Sequence, residues 1–303
     1  SSKLKDMEIN APQEQDNEQP HHPDYHRRIE SACRLLEQQI DIDVPLDQVA
    51  KAACLSTFHF HRLFRGLTGE TVRGYVRRIR LEQAAHRLTS STDEILRIAL
   101  DVGYNSHEAF TRAFQKRFEM PPSQFREEKR KVMPADTRNR RPIEVRIETR
   151  EPCTVAAVRH VGPYHQVGDA WKKLIKWGWS RMIFGKPPEM FGLCYDDPDI
   201  TENSQIRYDA CLVVRPDTKV KGDIEQCEVE GGIFAVTIHH GPYERLGETY
   251  ARLCAEIVDA AIGGRRFKLG LPPSIEKYLN DPRKTKPEDL QTEIWMPIIS
   301  KTE

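Results

Sequence analysis

His59, His61 and Arg62 stand close together in LSTFHFHRLFRGLTG, residues 55–69, and each can do more than fill a core. Imidazoles can ligate a metal, carry a proton, or reach an acceptor on a base edge or a phosphate. The metal reading is weak, because residues two apart diverge on a helix and no Cys or carboxylate completes a shell. No metal or cofactor is therefore expected. A second cluster of the same kind holds His107, Glu108, Thr111, Arg112, Gln115 and Lys116. Arginine reads guanine bidentately, histidine and glutamine reach base or phosphate acceptors, and an exposed aromatic such as Phe58 meets a thymine methyl. Contact with a polyanion is the chemistry both clusters share.

Short helices are needed to position them. Ile29, Cys33, Leu36 and Ile40 recur at helical spacing, and a second short helix covers 46–53 with Val49, Ala50 and Ala53 apolar. Ser56 stands where a cap belongs at the start of a third helix, which ends near Gly66 or Gly69. In that helix Phe60, Leu63 and Phe64 point inward. Thr57, Phe58, His61 and Arg62 are left outward, and His59 falls between the faces.

The cycle repeats after a long helix at 71–88, which would span about 27 Å. Ile95, Ile98, Ala99 and Val102 lead to a turn at Gly103 and Tyr104, and Ser106 caps a helix with Phe110, Ala113 and Phe114 inward. Two aligned pairs of this type are helix-turn-helix units, and the long helix between them could hold both probes about one DNA turn apart. Arg78, Arg80 and Arg97 read equally well as a solvated face.

Charge agrees with this division. Residues 21–141 hold 22 Lys and Arg against 16 Asp and Glu, whereas residues 142–303 hold 22 against 25. The seven cysteines are scattered, with no metal or redox spacing, which fits free thiols in a reducing cytoplasm. No apolar run is long enough to span a bilayer, so a cytoplasmic protein without a membrane partner is expected. The expected organisation is a disordered lead-in at 1–22, a helical domain at 23–131, a linker at 132–142 and a mixed domain at 143–303.

Beyond the linker, strand-like runs cover 145–149, 154–161, 208–214 and 234–240, with helices at about 166–180 and 245–262. TVAAVRHVGPYHQVGDAW from Thr154 matches IFAVTIHHGPYERLGETY from Ile233 at a constant offset of 79 residues. Each copy reads as strand, Gly-Pro turn and helix, and the seam between copies is a natural cleft. His160 and His239 precede the two turns symmetrically, which points to a structural role for both.

Residues 46–126 closely resemble the DNA-binding domain of the AraC/XylS family of bacterial transcription regulators. The resemblance rests on LDQVAKAACLSTFHFHRLFRGLTG, YVRRIRLEQAAHRL and ILRIALDVGYNSHEAFTRAFQKRFEMPPSQFR. The family framework appears as Ile98, Ala99, Gly103, Tyr104, Ser106, Phe110, Arg112, Phe114, Lys116, Phe118 and Pro121, with Met120 where a glycine is usual. The resemblance implies that Phe58, His61 and Arg62 read bases from the first helix, and His107, Glu108, Thr111 and Arg112 from the second. Residues 143–299 resemble the GyrI-like effector-binding domain, built from two SHS2-type repeats. Its marks are the Gly-Pro-Tyr turns at 162–164 and 241–243 and the closing TEIWMPI at 292–298. That resemblance implies a groove for small, often bulky and cationic molecules, with a glutamate at the position of Glu293.

Alternation places Glu293 and Trp295 on one strand face, and a carboxylate framed by rings attracts an organic cation. The candidate rings are Tyr164, Trp171, Phe191, Tyr195, Tyr208, Tyr243, Tyr250 and Trp295. The expected protein is a non-enzymatic, effector-modulated transcription regulator, monomeric on double-stranded DNA, with RNA polymerase as a further partner. The rival is a sequestering protein or hydrolase that uses the same groove. No nucleophile elbow, Walker loop or dinucleotide fingerprint supports the enzyme.

Overall fold

The computed structural model describes residues 25–132, 143–179, 189–220, 222–259, 267–271 and 273–300. The expected lead-in at 1–22, and all of the expected linker except residue 132, lie outside them.

Seven helices of the described residues build the N-terminal half: α1 (Tyr25–Gln38), α2 (Leu46–Ala52), α3 (Thr57–Thr68), α4 (Val72–Ser90), α5 (Ile95–Asp101), α6 (His107–Phe118) and α7 (Pro122–Val132). The caps form as the serines dictate. Ser56 accepts from the His59 amide at 3.4 Å and Ser106 from the Ala109 amide at 3.2 Å, each satisfying an orphan donor of the first turn.

α4 is the shared spine, 19 residues and so about 28 Å long. Its first half gives Tyr75 and Ile79 to a core with α1, α2 and α3. Its second half gives Leu81, Ala84, Ala85 and Leu88 to a core with α5, α6 and α7.

Two arginines of α4, Arg78 and Arg80, depart from a solvated face. Arg78 is buried between Glu70 and Glu82, at 2.9 and 3.1 Å. Arg80 donates to the carbonyls of Ile40, Ile42 and Gly103 and to Asp43, tying the end of α1 to the turn of the second unit. Gly103 has φ +82°, and a Cβ there would lie 2.7 Å from the Arg80 guanidinium carbon, so only glycine fits. Arg97 is exposed and pairs with Asp101.

Among the described residues, the C-terminal half is a nine-stranded antiparallel sheet with two α-helices on one face. The strands are β1 (Arg146–Arg150), β2 (Cys153–Val161), β3 (Met190–Cys194), β4 (Arg207–Val213), β5 (Glu225–Val229), β6 (Gly232–His240), β7 (Phe267–Leu269), β8 (Ser274–Tyr278) and β9 (Gln291–Ser300). Their order is β1-β6-β9-β8-β3-β4-β2-β5, with β7 on β9. The repeats exchange strands: β1 leads into β2 but pairs with β6, and β5 leads into β6 but pairs with β2.

Helices α8 (Gly168–Trp179) and α9 (Leu246–Asp259) cover one face through Leu174 and Leu253. The opposite face gathers Val155, Ala157, Phe191, Leu193, Cys211, Val236, Ile275 and Trp295. His160 and His239 each set a ring nitrogen against a turn carbonyl, that of Pro163 at 3.2 Å and of Pro242 at 3.1 Å. Both therefore hold the Gly-Pro turns.

Candidate functional site

Two exposed helix faces and one buried cage collect the side chains with chemistry to offer. On α3, Phe60 and Phe64 are fully buried, so Thr57, Phe58, His61 and Arg62 face outward, and His59 joins them. Phe58 is 65% exposed, unusual for a large ring, and the Arg62 guanidinium lies 5.0 Å from its centroid. That stacking pre-sets the guanidinium at the tip of the face.

On α6, Phe110 and Phe114 are buried, while His107, Glu108, Arg112, Gln115 and Lys116 are exposed. The amide of Glu108 and the Ser106 hydroxyl hold the Glu108 carboxylate below its ordinary range. Thr111 corrects the sequence reading: it is half-buried, and its hydroxyl oxygen is shut off from the surface.

The cage lies on the helix-covered face of the sheet, at the seam of the two repeats. Glu276 of β8 is its centre, 7% exposed. Tyr250 of α9 donates to one carboxyl oxygen at 3.1 Å, and Tyr278 to the other at 2.9 Å. The Tyr278 hydroxyl also meets that of Tyr208 at 2.9 Å, and the Trp171 indole donates to Tyr208 at 2.9 Å. Tyr164 stands edge-on to Tyr208, and both Trp171 and Tyr243 stand edge-on to Tyr278. Gly192, opposite Glu276 in register, leaves room for Tyr208: a Cβ there would collide with the hydroxyl. An open cleft of about 2450 Å³ borders these rings and continues to Arg34, Glu37 and Arg159 between the two halves.

Burial pushes the Glu276 carboxyl above its ordinary range, against the hydrogen bonds of Tyr278, Tyr250 and the Cys194 thiol. A cation set against the carboxylate would favour its ionised form, so cation uptake and proton release are linked at this residue. Burial also pushes the Cys194 thiol well up, which disfavours a thiolate nucleophile.

The nine effector residues expected from the sequence are divided by the sheet. Tyr164, Trp171, Tyr208, Tyr243 and Tyr250 come together around Glu276. Phe191, Tyr195, Glu293 and Trp295 lie on the opposite face. Phe191 is fully buried in its core under the Arg150 guanidinium. Tyr195 donates to Asp209 at 2.8 Å. Glu293 pairs with Arg146 and accepts from the Trp295 indole at 2.7 Å. The central carboxylate is thus Glu276 rather than Glu293. The signal for it was Glu276 and Tyr278, two residues apart in SIEKY and so on one face of a strand.

Residues 143–299 match the GyrI-like small molecule binding domain, and residues 49–128 match a helix-turn-helix domain family. Regulatory protein SoxS of Escherichia coli is 35% identical over 98 residues, 32% of this chain and 92% of SoxS. The uncharacterized HTH-type transcriptional regulator YbfP of Bacillus subtilis is 33% identical over 102 residues. That match spans 34% of this chain and only 35% of YbfP. An EcmrR–DNA complex aligns with 84% of this chain and 98% of its own at 16% identity, TM-score 0.42. Among the described residues, no helix is long and apolar enough to cross a membrane.

Proposed function

Because the chain belongs to the AraC/XylS family of transcription regulators and carries a GyrI-like small-molecule-binding domain, we propose that it is a cytoplasmic regulator answering to an organic cation held at Glu276. It binds DNA as a monomer, α3 and α6 entering successive major-groove segments of one duplex. Phosphate contacts from Arg and Lys give salt-dependent affinity. Thr57, Phe58, His61 and Arg62, with His107, Glu108, Arg112, Gln115 and Lys116, give sequence choice. RNA polymerase is the partner through which the bound regulator acts.

One observation carries the effector chemistry: a buried carboxyl gripped by two tyrosine hydroxyls at 3.1 and 2.9 Å, inside a ring of aromatic edges and faces. Such a site favours a lipophilic cation through charge and ring-face attraction together. The raised thiol of Cys194 supports binding rather than turnover.

The test compares benzyltrimethylammonium with its uncharged tert-butyl isostere by calorimetry on the full chain. The cation is expected to bind measurably and the isostere much more weakly. Equal affinity for the two would remove Glu276 from the recognition.

A further inference from the structure

α1 has two working faces. Ile29, Ala32, Cys33 and Leu36 are buried in the core of the first helix-turn-helix unit. The other side carries Ser31, Arg34 and Glu37, and all three reach the effector-binding half. Arg34 binds Asp209 at 2.6 Å and Glu225 at 2.7 Å, and Ser31 donates to Glu225 at 3.0 Å. Glu37 accepts from Arg159 at 3.1 Å and pairs with Arg207 at 3.2 Å. None of Arg34, Glu37, Arg159, Arg207, Asp209 and Glu225 has a side chain more than 13% exposed. Buried ion pairs of this kind hold two bodies in one geometry, and losing a partner strands a charge.

The network touches the cage at two points. Tyr208 and Asp209 are consecutive on β4 and so face opposite sides of the sheet, Tyr208 into the cage and Asp209 toward α1. Asp196 ties the Arg207 guanidinium by two bonds, at 2.8 and 2.6 Å, and accepts from the Arg207 amide at 2.8 Å, while its own backbone carbonyl accepts from the cage residue Tyr164 at 2.6 Å. Tyr164 and Tyr208 are thus linked, through Asp196 and through the β4 backbone, to the groups that hold Glu37.

On its far side Glu37 accepts from the Tyr75 hydroxyl, and the Tyr75 ring stands edge-on to Phe64, 5.5 Å between centroids. Phe64 is the fully buried anchor of α3, the helix whose outer face carries Phe58 and Arg62. An unbroken series of contacts runs from cage to reading helix: Tyr164, Asp196, Arg207, Glu37, Tyr75, Phe64.

We propose that α1 is the coupling element of this regulator, and that the Glu37 carboxylate, shared between Arg159 and Arg207 on one side and Tyr75 on the other, transmits occupancy of the Glu276 cage to α3. This rests on the cage being the effector site. Glu37 stands at the junction that both sites bias, held by Arg159 and Arg207 from the effector-binding half and by Tyr75 from the helical half.

The experiment has two arms on the full chain. In the first, Glu37→Gln and wild type are titrated with benzyltrimethylammonium by calorimetry and with operator DNA with and without that cation. Wild type should change its DNA affinity about fivefold or more on saturation. The variant should bind the cation equally well and show a change below about twofold. A variant that keeps the wild-type ratio overturns the proposal.

The second arm needs no ligand: hydrogen exchange of α3 and α6 in wild type and in Arg207→Lys, a substitution made wholly in the effector-binding half. Faster exchange across α3 with α6 unchanged supports transmission through Glu37, and unchanged α3 overturns it. Wild type that takes up no cation, while Arg207→Lys still speeds exchange across α3, sinks the ligand reading and leaves the coupling standing.

Discussion

Asp209 and Glu293 occupy equivalent positions in the two repeats, yet only Asp209 is bound to the helical half. Asp209 lies opposite Arg159 on β2, and Glu293 lies opposite Ile238 on β6, with Arg159 and Ile238 exactly one repeat offset apart in sequence. In the same way Glu225 lies opposite Ala157 and Arg146 opposite Val236. The first repeat therefore presents two carboxylates to one side, and Arg34 of α1 binds both. In the second, Glu293 and Arg146 neutralise one another. The charge pattern, not the fold, selects which repeat receives α1.

Cation binding at the cage should strengthen as pH rises. The Glu276 carboxyl sits above its ordinary range because of burial, so at low pH a cation must displace its proton, and above the folded value it need not. Calorimetry across pH 5 to 9 should show affinity climbing and then levelling. Glu276→Gln should lose the climb and about 2 kcal/mol of binding, the scale of one charge-assisted contact. A pH-independent wild type would count against Glu276 as the partner.

The helical half was legible because its signals are local. Apolar spacing of three and four, serine caps and a Gly-Tyr turn fix α1 to α6 without reference to anything distant. The cage was half legible. Tyr164, Trp171, Tyr243 and Tyr250 were named from the repeat and Tyr208 beside them, but Tyr278 was missed and the carboxylate was assigned to β9, because Glu293 stands alone in an apolar run. Pairing decides otherwise: Thr292, Ile294, Met296 and Ile298 face the helices, so Glu293 and Trp295 face away. β3, β5, β7 and β8 are too short or too mixed to announce themselves, and β8 carries Glu276. The α1 network is invisible in sequence, since Arg34 and Asp209 are 175 residues apart.

Opposite pH trends should meet in the α1 interface. Burial raises Glu37, but Arg159 and Arg207 overcome it and hold the carboxyl down at about 2. Its contribution is present above the unfolded value of 4.5 and is lost as pH falls toward 2. Glu30, on the same helix, is raised to about 7 by burial and by Glu225. Its contribution is present below 4.5 and is lost as pH rises through about 7. Thermal unfolding should give Glu30→Gln a gain on the order of 1–2 kcal/mol at pH 8, after screening at a half-buried site, and little gain at pH 4. The same gain at both values would remove Glu30 from this account.

Each helix-turn-helix unit places one non-glycine residue in the left-handed region. In the first it is Cys54 at the turn, φ 52°, with Gly69 ending α3. In the second it is Glu119 ending α6, φ 61°, with Gly103 at the turn. An L side chain pays about 1–2 kcal/mol there, partly offset by the extra unfolded-state freedom of glycine. Cys54→Gly and Glu119→Gly should each stabilise by about 0.5–1 kcal/mol in denaturant titrations. Gly103→Ala should destabilise by more than that, because its Cβ meets the Arg80 guanidinium. Loss of stability in both glycine variants would refute the backbone argument.

Removing a reading arginine should affect sequence choice more than general affinity. Arg62→Ala and Arg112→Ala should each cost about 1–3 kcal/mol on operator DNA if each guanidinium makes a bidentate base contact. On random DNA at the same salt, each should cost less. The Phe58 ring adds a finer expectation. Because it holds the Arg62 guanidinium at 5.0 Å, Phe58→Ala should lose part of what Arg62→Ala loses, and the double substitution should fall short of the sum. Among the described residues no ring stacks on Arg112, so Phe58→Ala combined with Arg112→Ala should be additive within about 0.5 kcal/mol. Binding isotherms on operator and random duplexes decide it, since equal losses on both would reduce these arginines to phosphate contacts.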